Sequence, residues 1–138
     1  MNTFPLRIYE SDGVFFDGEA RSVTVPAGDG EYAVLAMHEN AVVAIEPGIL
    51  HYVDEEGKVF YASVSDGMLR VEDGDVLVLV ETAERPEEID AERARRKEEI
   101  AREDMLAKKS LQEYYLAESR LKRELVRLKL VKKMENLD

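Results

Sequence analysis

Not one Gly or Pro follows Pro86 in this chain, whereas all eight Gly and the other three Pro lie before it. Gly and Pro punctuate short strands and turns, and their absence over a long charged stretch favours helix, so the chain reads as two kinds of structure joined near Pro86. The join itself, Thr82-Ala83-Glu84-Arg85-Pro86-Glu87-Glu88-Ile89-Asp90-Ala91-Glu92-Arg93-Ala94, has the marks of a helix start. Pro lacks the backbone N–H that a first turn leaves unused, and Glu87, Glu88 and Asp90 set negative charge at the positive end of the helix dipole. Two domains are expected, residues 1–84 and residues 85–138.

Charge divides at the same point. Residues 1–84 hold four bases (Arg7, Arg21, Lys58, Arg70) against 17 acids, a net of −13, while residues 85–138 hold 15 bases and 13 acids, a net of +2. So acidic a front half repels a phosphate backbone, which argues against nucleic acid as a partner. Without cysteine there is no disulfide framework, no thiol nucleophile and no Cys-ligated metal. Met1-Asn2-Thr3-Phe4-Pro5 lacks the basic, apolar, small-residue progression of a signal peptide. No apolar run approaches the ~20 residues that span a bilayer. The expectation is a cytoplasmic protein with no direct membrane insertion.

In the front half, turn signals recur at Asp12-Gly13, Asp17-Gly18, Gly28-Asp29-Gly30, Pro47-Gly48, Glu56-Gly57, Asp66-Gly67 and Asp73-Gly74, the rhythm of an all-β sandwich or barrel. The intervening strands are placed at residues 6–10, 20–26, 31–37, 41–46, 49–53, 58–65, 68–72 and 75–81. Val23 and Val25 alternate with Ser22 and Thr24, giving one buried and one wetter face. Val76-Leu77-Val78-Leu79-Val80 is apolar throughout, which predicts a strand covered on both faces, either central or roofed by the helices that follow.

In the back half, one helix is predicted from Arg85 to about Lys108 and a second from Leu111 to about Glu135, after a tight turn at Lys108-Lys109. Ser110-Leu111-Gln112-Glu113 fits a capping box at the second start. Leu111, Tyr114, Ala117, Leu121, Leu125 and Leu128 form one apolar stripe. The first helix answers with Ile89, Ala94, Ala101 and Leu106, a thinner face, so the antiparallel two-helix hairpin is expected to be weakly closed. Arg120, Arg123 and Arg127 step along one face of the second helix, with Lys122, Lys129, Lys132 and Lys133 nearby. Such a run is either a solvated surface or a dock for an acidic protein surface or a phosphate.

Few residues offer chemistry. His38 and His51 are too few for a metal triad without carboxylates, and strand-edge or loop roles account for them. Asp73 and Asp75 around Gly74, and Asp54-Glu55-Glu56-Gly57, have the composition of turns; paired carboxylates of a hydrolase or a Ca²⁺ module are the alternative. No phosphate loop, nucleophile elbow or dinucleotide fingerprint occurs. Composition and spacing lead to an interaction module, with an adaptor carrying a constitutive hairpin for a coiled-coil partner as one form of it.

Two stretches carry a resemblance. Ser65-Asp66-Gly67-Met68-Leu69-Arg70-Val71 is similar to a Ser-Gly-Gly-Phe-Leu-Glu-Val strand pair, and Val78 to Ala94 to an apolar strand followed by Thr-Ala-Glu and then Ile-Asp-x-x-Arg-Ala. With them the whole chain resembles the epsilon subunit of the bacterial F-type ATP synthase, called delta in mitochondria. One departure is Ala36-Met37-His38-Glu39-Asn40-Ala41, where the family commonly has Pro-Gly-His-x-Pro-Leu in a loop facing the membrane rotor ring.

The resemblance implies a non-catalytic rotor subunit at the cytoplasmic face of the bacterial membrane. Its sandwich is implied to bind the gamma subunit and the c-ring. Its hairpin is implied to lie folded, or to extend along gamma to the alpha and beta catalytic subunits and inhibit ATP hydrolysis, with Arg120, Lys122, Arg123 and Arg127 as the contact face. No cofactor is required. ATP is implied as a regulatory ligand in some members, at positions matching Glu84, Ile89, Asp90, Arg93, Ala94, Arg123 and Arg127, with arginines on phosphates and Asp90 and Glu84 on adenine or ribose. A further basic position of the first helix reads Ile100 here.

Overall fold

The computed structural model describes residues 2–107 and 110–137, and the chain divides into two compact units, Met1–Glu84 and Arg85–Asp138. The first unit holds nine strands: β1 Phe4–Glu10, β2 Gly13–Ala27, β3 Gly30–Leu35, β4 Ala41–Ile45, β5 Gly48–Asp54, β6 Val59–Val64, β7 Gly67–Glu72, β8 Asp75–Val80 and β9 Ala83–Glu84. They run in the order β4-β7-β8-β1-β2-β5-β6-β9, with β3 also on β2.

The long β2 serves two layers. Residues Gly13 to Ala20 pair with β1, whereas Ala20 to Thr24 pair with β5 across a register shift between Ala20 and Ser22, and Ser22 to Ala27 pair with β3. One layer is therefore β4-β7-β8-β1 with the start of β2, and the other is β3 and β5-β6-β9 around its end. All pairings are antiparallel except β1 with β8, which is parallel. Alternate residues of both layers point inward and are buried: Leu6 and Ile8, Val23 and Val25, Leu50 and Tyr52, Leu69 and Val71, Val76 and Val78. Each such aliphatic side chain contributes roughly 1.5–3 kcal/mol on leaving water. Phe16, Tyr52 and Phe60 continue the core as a ladder with centroid spacings of 4.4 and 5.2 Å.

All eight strands expected from the turn rhythm are present, and two expectations need correction. The second strand starts seven residues earlier, at Gly13 rather than Ala20, because Asp17-Gly18 continues the β1 ladder instead of turning. β8 is central, between β7 and β1, but only Val76, Val78 and Val80 are buried, while Leu79 is exposed. The apolar run alternates like any half-buried strand, and its outward leucines belong to a surface described below. β9 is too short to show a period.

The second unit holds a 3₁₀ turn at Pro86–Glu88 and two helices, α1 Ala91–Ala107 and α2 Leu111–Leu137. Ser110 Oγ accepts the Glu113 amide at 3.1 Å, as a cap for α2. The turn expected at Lys108-Lys109 lies outside the described residues.

Candidate functional site

The first expected helix does not run from Arg85. Pro86 opens a separate 3₁₀ turn in which Glu88 Oε1 accepts the Arg85 amide at 3.0 Å, and Ile89 is extended at φ −88, ψ 122. Asp90 then starts α1, its Oδ1 accepting the Arg93 amide at 3.1 Å. Asp competes for backbone donors and so favours the cap over the helix interior. Asp90 and Arg93 are exposed at this start, Ile89 is half-buried, and Ala94 is buried. Glu84, the remaining member of the Ile-Asp-x-x-Arg-Ala neighbourhood, belongs to the sandwich unit, on β9 opposite Ser63.

α1 and α2 pack on each other. Ala94 and Ala101 of α1 and Ala117 and Glu124 of α2 are buried. The apolar stripe expected on α2 is shifted accordingly. Leu111 and Leu125 are exposed, as is Leu106 on α1, and the buried positions are Ala117, Leu121, Glu124 and Leu130. Small alanines let the helix backbones approach, so bulkier neighbours one position off the seam are left outside.

The arginine run of α2 is not one uniform face. Arg120 is exposed, its Nε donating to Leu116 O at 3.3 Å and its Nη2 lying 3.9 Å from Asp104 of α1. Lys122 pairs with Glu118 one turn back at 3.9 Å. Arg123 is exposed and makes no ion pair among the described residues. Arg127 is partly buried, with Nη1 2.6 Å from Glu124 Oε1. In an antiparallel pair the start of α1, with Asp90 and Arg93, lies toward the later residues of α2, and α2 also touches the 3₁₀ turn at Pro86–Glu88.

A second surface, on the sandwich, was not singled out by the sequence. Register across five strands aligns Ala44, Met68, Leu79, Tyr9 and Val14 in one outward row. The next row is Val42, Arg70, Leu77, Arg7 and Asp17, and beyond it Glu72, Asp75, Pro5 and Glu19 follow. The face grades from apolar to acidic, and two of the unit's four bases stand in its middle row. Val14, Val42 and Leu79 are exposed. The continuous apolar run of β8 was the available signal.

The connection after β3 is clamped. His38 Nε2 lies 3.0 Å from Tyr32 Oη and its Nδ1 2.6 Å from Glu39 O, while Asn40 Oδ1 accepts the Asp73 amide at 2.9 Å. Just before them Met37 sits at φ 67, 87 % exposed. This is where the family pattern has Gly, which takes positive φ without strain.

The carboxylates read as turns. Asp73 and Gly74 have φ of 50 and 87, the two left-handed residues of a type I′ hairpin. Asp54 Oδ1 accepts the amides of Glu56 and Lys58, each at 2.9 Å. Among the described residues no group of three His, Asp or Glu is placed to hold a metal. The His51 ring lies 5.6 Å from that of Tyr61 of β6, tilted at 45°.

Comparison with known proteins bears on both units. Residues 3–86 match the beta-sandwich domain of the ATP synthase Delta/Epsilon chain, and residues 87–132 match its long alpha-helix domain. The ATP synthase epsilon chain of Ruminiclostridium cellulolyticum is 38% identical over 93% of this chain and 95% of its own length. That of Caldanaerobacter subterraneus is 33% identical over 98% of each. Among solved structures, a chain of the Euglena gracilis mitochondrial ATP synthase OSCP/F1/c-ring assembly superposes with a TM-score of 0.79 at 29% identity, over 87% of this chain and 76% of that one.

Proposed function

The chain belongs to the delta/epsilon chain family of ATP synthase, as a non-catalytic epsilon subunit of the central stalk, and from that premise we propose that it couples rotation to ATP synthesis and restrains ATP hydrolysis. The sandwich binds gamma through the graded face of β4-β7-β8-β1-β2 and rests on the c-ring at the cytoplasmic face of the bacterial membrane. No helix of the described residues is long and apolar enough to cross a membrane; attachment comes through these partners.

The hairpin is the restraining element. The observation that carries this reading is its thin seam: Ala94, Ala101, Ala117, Leu121 and Leu130 are its buried apolar residues, while Ile100, Leu106, Leu111 and Leu116 stay exposed. A helix pair with so much of its apolar surface outside its own seam has little to lose on opening, and much to gain on a larger partner groove. Extended, it presents Arg120, Lys122, Arg123 and Arg127 to acidic segments of the alpha and beta subunits. Folded, its Arg93, Arg123 and Arg127 bind the phosphates of a regulatory ATP beside Asp90; ATP is not a required cofactor.

Gamma binding tests the division of labour. The full chain and residues 1–86 bind a gamma subunit with equal affinity if the sandwich is the anchor. Loss of binding on removal of the helices contradicts it.

A further inference from the structure

Glu124 is the one buried charged side chain among the described residues, at 3 % exposed. Its position in the α2 seam, seven residues after the buried Ala117, is one the helical period reserves for a small or apolar residue. The carboxylate is only half satisfied there: Oε1 receives Arg127 Nη1 at 2.6 Å, while Oε2 is buried without a hydrogen-bond partner. A buried carboxylate with one oxygen unmet opposes closure of the seam rather than aiding it. Packing therefore does not account for an acid at this position, and its one close partner is the arginine that also stands in the nucleotide reading.

Carboxylate and phosphate offer a guanidinium the same pair of acceptor oxygens. We propose that Glu124 is an internal anion that occupies Arg127 in place of a phosphate, so that nucleotide and Glu124 compete for one guanidinium. The inference rests on the nucleotide reading of Arg93, Arg123 and Arg127. A triphosphate arriving at the folded hairpin meets an Arg127 already neutralised on one side, and a carboxylate that repels it. Binding requires Glu124 to leave the seam or to share Arg127, and either lowers affinity. This chain is accordingly a weaker nucleotide sensor than its arginines alone suggest, set so by one residue.

The test is calorimetric titration of the full chain with ATP, comparing wild type, Glu124→Gln, Glu124→Ala and the double variant Glu124→Gln/Arg127→Gln. Gln keeps the shape and removes the charge; Ala serves if Gln disturbs the fold, which far-UV circular dichroism reports. The expected result is a Kd at least tenfold lower for the single variants, from a weak or undetectable wild-type value, with the gain abolished in the double variant. Single variants within twofold of a measurable wild type overturn the inference and leave the nucleotide reading standing. No binding by wild type or by either single variant overturns both.

Discussion

Asp90 Oδ1 accepts the backbone amide of Arg93 at 3.1 Å, joining the two polar members of the Ile-Asp-x-x-Arg-Ala stretch as the first turn of α1. A motif read as a ligand contact is thus first a helix start, and the two roles separate by substitution. Asn caps as well as Asp, and replacing a cap by Ala costs about 1 kcal/mol. Asp90→Asn is expected to leave the urea midpoint of the full chain unchanged, and Asp90→Ala to lower stability by about 1 kcal/mol. Equal losses in both variants would show that charge at the helix dipole, not the cap hydrogen bond, is what matters.

Met37 holds φ 67 with an exposed side chain, where a non-Gly residue stores roughly 1–2 kcal/mol. Met37→Gly is expected to raise stability by about 1 kcal/mol in urea unfolding, less the entropy that Gly adds to the unfolded chain. An unchanged or lowered midpoint would mean that the clamps at His38 and Asn40 do not hold this conformation against relaxation.

Gly67 has the opposite expectation. A Cβ there would lie 2.0 Å from Leu79 O and 2.8 Å from Val80 Cα, both backbone of the paired β8, which cannot give way without opening the ladder. Gly67→Ala is expected to destabilise the sandwich by about 3 kcal/mol, at the upper end for overpacking, read as a lower urea midpoint of residues 1–86. A loss under 1 kcal/mol would show that β7 can shift its register at this end.

The rhythm of Gly-containing turns was enough to find eight strands, because each turn needs residues that tolerate positive φ or a tight bend, as at Gly13, Gly30, Gly57 and Gly74. It misplaced the start of β2, because Asp17-Gly18 has turn composition but pairs with Leu6 and Arg7 inside the ladder. β9 has two residues and no period to read. The α2 stripe was legible to within one position: Leu125 fits the spacing as well as Glu124, and only the partner helix decides which faces inward. Alanines at Ala94, Ala101 and Ala117 help set the answer, since they draw the backbones close. The outward row of Ala44, Met68, Leu79, Tyr9 and Val14 was signalled only by the apolar run of β8, because the rest of it exists through register among strands distant in sequence. Arg93, Arg123 and Arg127 were named through the family resemblance, but the carboxylate on Arg127 was not, since nothing in the spacing marks Glu124 as buried.

The graded face makes its own prediction. Leu79→Asp places a charge in the apolar row without touching the core, and is expected to weaken gamma binding about 100-fold, a hot-spot loss of roughly 2.7 kcal/mol. Val59→Asp, also exposed but on β6 of the other layer, is expected to leave binding within twofold. The reverse ranking would move the docking site to the other layer.

The central claim is that the sandwich anchors the subunit while the hairpin restrains hydrolysis. The most direct measurement is the ATP hydrolysis rate of the cognate catalytic complex depleted of this subunit, after adding back either the full chain or residues 1–86. The account predicts that both bind and only the full chain lowers the rate. If both bind and the rate is the same with either, the hairpin is not an inhibitor and the claim is wrong.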